Sequence, residues 1–139
     1  MILKKYSPIG ELSIFAKEYA EALSQNTGLV SCITDHDQVV AASGQGCKEF
    51  TGKEISKELE EAISSREEKC LNGNDKGKIL VVESQKSQLY SQIVHPIICA
   101  GDAIGAVVLM GKNEKDVVGD AERLLVKTAA SFLGRQMEQ

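Results

Sequence analysis

Ile9, Leu12, Phe15, Ala16, Tyr19, Ala22 and Leu23 recur at three- and four-residue steps, the repeat that draws one apolar stripe along an α-helix. Ser7 and Pro8 suit its cap and first turn, and Asn26-Thr27-Gly28 ends it. Two short apolar runs follow, Leu29 to Asp35 and Gln38 to Ser43, split by the turn-forming Asp35-His36-Asp37, and predict a hairpin. After Gly44-Gln45-Gly46 the chain is dense in charge from Lys48 to Lys69. Phe50, Ile55, Leu59, Ala62 and Ile63 still keep part of a helical stripe there, so a surface helix is expected from about Ser56 to Arg66. Asn72 to Gly77 reads as a loop, and Ile79-Leu80-Val81-Val82 as a third strand.

Tyr90 to Cys99 and Ala103 to Lys112 are longer apolar runs joined by Ala100-Gly101-Asp102, a tight hairpin signal. Ile104, Ala106, Val108 and Met110 alternate with Gly105, Val107 and Leu109, so both faces of this strand are apolar and both are expected to be covered. Asp120 and Glu122 open a last helix where the macrodipole favours negative charge. It continues through Leu124, Leu125, Thr128, Ala129, Phe132, Leu133, Gln136 and Met137. Its apolar arc is too wide for a single neighbour. The first helix is one candidate to cover the excess; the small Ala129, Ala130 and Gly134 favour a helix bundle that includes a second subunit. The order helix, two strands, helix, three strands, helix predicts an α+β domain with a mainly antiparallel sheet.

Composition narrows the function. With 139 residues, 42% of them hydrophobic, the chain fits one domain. Sixteen Lys plus Arg against 20 Asp plus Glu leave a net charge of −4, which excludes a broad basic face for a phosphate backbone. No apolar run approaches the roughly 20 residues of a membrane helix. The segment Met1 to Tyr6 lacks the apolar stretch of a secretory signal, so the cytoplasm is the expected compartment.

The four cysteines, Cys32, Cys47, Cys70 and Cys99, are 15, 23 and 29 positions apart, which provides no zinc knuckle. Cys32 and Cys99 fall in apolar runs. Cys47 and Cys70 border polar segments beside Lys48 and Lys69, so a thiol switch centred on either is one alternative. Catalytic parts are few. His36 sits in a turn and His95 in an apolar strand, and Cys99 lies about 13 Å from His95 along that strand, too far to exchange a proton. No catalytic residue, metal ligand or cofactor is assigned.

The sheet instead has one helical side and one looser, polar cover running from Gly44 to Gly77. A small-molecule effector is expected between sheet and cover, with Ser31, Ile33, Tyr90 and Gln92 on the floor and Phe50 and Ile55 from the cover as candidate contacts. The rival is a purely structural oligomerisation domain whose interior is filled by its own side chains.

Four segments carry a resemblance across the whole chain: Ile2 to Ile9, Phe15 to Ala20, Gly101 to Val108 and Phe132 to Gln139. They resemble the C-terminal, GAF-like domain of the stage V sporulation protein T family, transcription regulators of the AbrB type. The resemblance implies a sheet in the order 2-1-5-4-3 with the N- and C-terminal helices packed on one face. It implies that residues 1–7 are the end of an AbrB-type DNA-binding domain missing here, and residues 8–139 a sensor and dimerisation domain. It further implies a homodimer through the terminal helices, with Leu12, Phe15, Tyr19, Leu125, Ala129, Phe132 and Gln136 at the contact, and a tetramer in the full-length protein. DNA would be bound only through the missing half, in the forespore. The cyclic-nucleotide motif of some GAF domains is absent from this sequence.

Overall fold

The computed structural model describes residues 13–138; the expected start of the first helix at Pro8 and the linker over residues 1–7 lie outside that range. Helix α1 (Ser13–Thr27) leads into a hairpin of β1 (Val30–Asp35) and β2 (Val39–Ser43). A short 3-10 turn (Cys47–Glu49) and helix α2 (Lys57–Ser65) then lead to β3 (Lys69–Asn72), β4 (Ser91–Cys99), β5 (Asp102–Gly111) and helix α3 (Asp120–Met137). All strand pairings are antiparallel, in the order β2-β1-β5-β4-β3, as the resemblance implies.

Local chemistry sets the joints. Asp35 Oδ1 accepts the Asp37 and Gln38 backbone N–H groups, each at 2.7 Å, and folds the first hairpin. Ser56 caps α2 by accepting the Leu59 N–H at 3.0 Å, and Arg66 in the left-handed region closes it. Between β4 and β5, Ala100 (φ 50°) and Gly101 (φ 87°) are both left-handed, the pair of conformations whose twist matches that of two flanking strands.

The sheet has two cores. On one side Ala16, Ala20 and Leu23 of α1 and Val126, Ala129 and Leu133 of α3 meet Ile33, Ile93, Ile97, Val107 and Leu109. Here α3 lies so close to β4 that a Cβ at Gly134 would run into the Ile98 carbonyl oxygen. Gly134 therefore serves contact with the sheet. Ala129 and Ala130 are buried against the same face. The end of α3 is also tied to the hairpin, since the Ala100 N–H donates to Glu138 Oε2 at 3.3 Å. On the other side Phe50, Leu59, Ala62, Ile63, Val81 and Val82 cover Cys32, Val94, Ala106, Val108 and Met110.

One expected strand is not one. The third strand is Lys69–Asn72, which lies across the polar stretch and the start of the expected loop, while Ile79 to Val82 runs outside the ladder as a strap over the cover-side face of the sheet. Leu71 takes the place opposite Gln92 on β4, so the apolar run has no sheet edge to join. Its only ladder contact among the described residues is an isolated bridge between Ile55 and Val82. Apolarity at Val81 and Val82 thus reports burial, not strand pairing. The true edge strand is short and half-exposed along its length, as sheet edges commonly are.

Candidate functional site

The six residues expected at the effector site are divided by the sheet. Ser31 and Ile33 face the helices: the Ser31 hydroxyl donates to the Ala20 carbonyl of α1, and Ile33 belongs to the helix-side core. Because β1 is apolar on both faces, its sequence leaves the facing open, and a choice wrong by one residue turns every side chain over. Cys32 and Thr34 hold the cover-side positions instead. Phe50 and Ile55 do lie under the cover. Gln92 is fully buried there, while Tyr90 is half-buried beside the Gly73 turn.

The space between sheet and cover is occupied by the chain itself. Phe50, Leu59, Val81 and Met110 have no exposed surface. The Gln92 amide is fully engaged with the strap, accepting the Ile79 N–H at 3.0 Å and donating to the Ile79 carbonyl at 2.8 Å. Opposite Ala106 and Val39, which both face the cover, Thr34 carries a buried hydroxyl with no hydrogen-bond partner among the described residues.

The strap is held down by side chains. Glu58 accepts the Leu80 N–H (3.2 Å), Gln85 the Val81 N–H (2.8 Å), and Glu83 reaches back to the Lys57 N–H (3.0 Å). Ser56 donates to the Leu80 carbonyl. Farther along, Glu49 accepts the Lys86 and Ser87 N–H groups on Oε2 and the Ser87 hydroxyl on Oε1 at 2.7 Å. Partial burial pushes the Glu49 carboxyl up, but those hydrogen bonds and the Lys112 charge outweigh it and hold the group below the usual range. Sequence reading missed Glu49 because its partners lie 37 and 38 residues away.

Three of the four thiols are held toward the neutral form. Burial pushes the Cys32 thiol far up; desolvation, with help from nearby carboxylates, outweighs the Arg123 charge and pushes up Cys70; and desolvation followed by Glu138 and Asp102 pushes up Cys99. Lys69 and Cys70 are strand neighbours and point to opposite faces, so that ammonium does not address the sulfur. Near Cys70, Glu68 forms an ion pair with Arg123 of α3 at 3.1 Å and lies 3.7 Å from His95 Nδ1.

The outer face of the two terminal helices is different in kind. Phe15 remains 47% exposed and Leu125 39%, while Tyr19, Phe132 and Gln136 are half-buried. Leu12 lies outside the described residues, and Ala129 is fully buried in its own subunit, so it does not belong to this outer face. Ile14 and Leu124, 73% and 64% exposed, extend the patch. Their neighbours Phe15 and Leu125 were the available signal. Phe132 sits centrally, with ring centroids 6.5 Å from Phe15 and 5.3 Å from Tyr19. Beside it, Tyr19, Ala22, Leu124 and Leu125 help line a groove of about 230 Å³. A cluster of this kind, with large apolar groups left in water on adjoining helices, fits a protein contact.

Comparison with known proteins gives concordant results. The family described as stage V sporulation protein T C-terminal, transcription factor, matches residues 11–138. Stage V sporulation protein T of Bacillus subtilis (strain 168) is 42% identical over 139 residues, which is 100% of this chain and 76% of that protein. Among solved structures, the GAF domain of an Acinetobacter phosphoenolpyruvate-protein phosphotransferase has a TM-score of 0.70 at 13% identity, covering 96% of this chain and 84% of that one. The cofactor-binding GAF domain of the nutrient sensor CodY from Clostridium difficile has a TM-score of 0.63 at 18% identity, covering 87% and 83%. The fold is that of a GAF domain.

Proposed function

The chain belongs to the stage V sporulation protein T C-terminal family of transcription factors, and from that premise we propose that it is the regulatory module through which such a factor self-associates and receives a signal. The exposed apolar patch on α1 and α3 carries the first half of this reading. Ile14, Phe15, Leu124 and Leu125 are unfavourable in water and join a central aromatic cluster, so a twin copy that covers them stabilises both. Two such pairs would form a tetramer in the full-length factor. DNA contact belongs to an AbrB-type domain preceding residue 8, with residues 1–7 its end, and the net charge of −4 agrees with that division. The factor acts in the cytoplasm of the forespore and catalyses nothing.

Leu124→Asp tests the contact cleanly because this side chain is mostly solvent-exposed in the single subunit. Sedimentation should give dimers for the parent and monomers for the variant, with unchanged circular dichroism. Dimers that persist at low concentration would refute the helical contact.

A second reading, that the module senses a small molecule, is favoured by the attachment of the strap. Its backbone is held by side chains and one isolated bridge in place of a ladder, an arrangement that opens locally more readily than a paired strand. A solved neighbour of the same fold is described as cofactor-binding. A ligand that binds only the folded form raises its melting temperature. A metabolite panel in a thermal-shift assay should therefore yield at least one stabilising compound; a panel without any would favour the purely structural reading.

A further inference from the structure

The interior beneath the cover is filled, but a separate cavity of about 460 Å³ lies at one end of the sheet. Three chain segments converge on it: Gly28 to Val30, where α1 passes into β1; Gln45 and Gly46, just beyond β2; and Met110 to Asn113, where β5 ends. Volumes of this order hold small metabolites.

Its lining carries one cation, Lys112, and one carboxylate, Asp116. Asp116 Oδ2 accepts the Lys112 and Asn113 N–H groups, both at 3.1 Å, so this carboxylate fixes the rim. The Lys112 ammonium folds over Gly46 and stands 2.7 Å from where a Cβ on that glycine would be. Gly46 has φ 84°, a conformation that glycine adopts without strain, so both the turn and the lysine's position depend on it. No described carboxylate comes within ion-pair distance of Lys112, although its charge acts on Glu49 from farther away. Gln45 and Asn113, residues whose side chains carry amide donors, also line the cavity.

We propose that this sheet-end cavity binds a small polar organic anion, a carboxylate or a phosphate, through the Lys112 ammonium. The site rests on the sensing half of the function proposed above and gives it a ligand class. It also has a route outward. Gly28 lines the cavity and terminates α1 by donating its N–H to the Ser24 carbonyl at 2.8 Å, so an occupant touches the end of a helix that carries the self-association patch.

Malonate and inorganic phosphate are suitable probes for titration of the full chain, followed by amide shifts of Gly28, Gly46 and Lys112 in 15N-correlated NMR. Saturable shifts with malonate identify a carboxylate ligand, and saturable shifts with phosphate alone identify a phosphorylated one. Either supports the site. Lys112→Met should weaken binding about tenfold or more, the loss expected for one charge-assisted hydrogen bond, while Lys112→Arg should retain it and added salt should weaken it. Absence of saturable shifts with both probes, or shifts that survive Lys112→Met, overturns the proposal. A metabolite that raises the melting temperature without moving these amides would leave the sensing function standing and exclude this site.

Discussion

The two faces of the sheet are both apolar, yet their outer layers are attached by different means. On the helix side, whole helices lie against the strands through Ala16, Ala20, Val126, Ala129 and Leu133, with α3 in contact with strand backbone at Gly134. On the cover side, only α2 is regular, and the strap is held by individual carboxylate, amide and hydroxyl groups, among them Glu49, Glu58, Gln85 and Ser56. Close packing loses energy steeply when anything shifts. Side-chain hydrogen bonds to exposed backbone each contribute about 1 kcal/mol. The helix side is thus expected to behave as one body, and the cover as a layer whose parts open separately.

Four substitutions separate these behaviours, in descending order of effect. Gly134→Val drives side-chain atoms into the Ile98 carbonyl and should cost about 3 kcal/mol by overpacking, read as a lower midpoint in denaturant unfolding. An unchanged midpoint would mean that α3 is free to lift from β4. Leu59→Ala leaves a void under the cover and should cost about 2–3 kcal/mol. Hydrogen exchange should then rise first at residues 78–90 while the α3 amides stay protected. Uniform acceleration across both layers would refute separate opening.

Glu49→Gln should cost about 1 kcal/mol, seen as faster exchange of the Lys86 and Ser87 amides. The pH sign follows from its lowered carboxyl. A group bound more tightly as the anion in the folded chain stabilises fully above the unfolded glutamate value of about 4.3, and that contribution disappears as pH falls through the lower folded value. The parent strap should therefore loosen in acid, and the Gln variant should show no such step; a step of equal size in both would remove Glu49 as the cause. Thr34→Val exchanges an unpartnered buried hydroxyl for a methyl group of similar size and should raise stability by about 0.5–1 kcal/mol. A loss of stability would reveal that the hydroxyl has a partner.

The same contrast explains what sequence disclosed. Local signals placed the joints well: Ser56 and Arg66 bracket α2, and Asp35-His36-Asp37 and Ala100-Gly101 make the turns expected of them. Long apolar periodicity found α1, α3 and the two central strands. Where structure depends on distant partners, the sequence was less readable. Ile79 to Val82 has the composition of a strand but lies over the cover-side face, and the sheet edge is formed by Lys69–Asn72, which has no apolar run of its own. Ser31 and Ile33 fall on the helix side because a two-faced strand carries no facing information. The aromatic members of the helical patch were legible, but Ala129 was not distinguishable from them, since burial by one's own sheet and burial by a partner call for the same small apolar residue.

Both ends of α3 are anchored. Arg123 reaches Glu68 near its start, and near its end Gly134 abuts Ile98 while Glu138 accepts the Ala100 amide. Sliding this helix along its axis would break all three contacts. If a twin copy covers the helical patch as proposed, a signal that reaches it would tilt or turn the whole subunit like a lever, with the strand bed and its last helix swinging together.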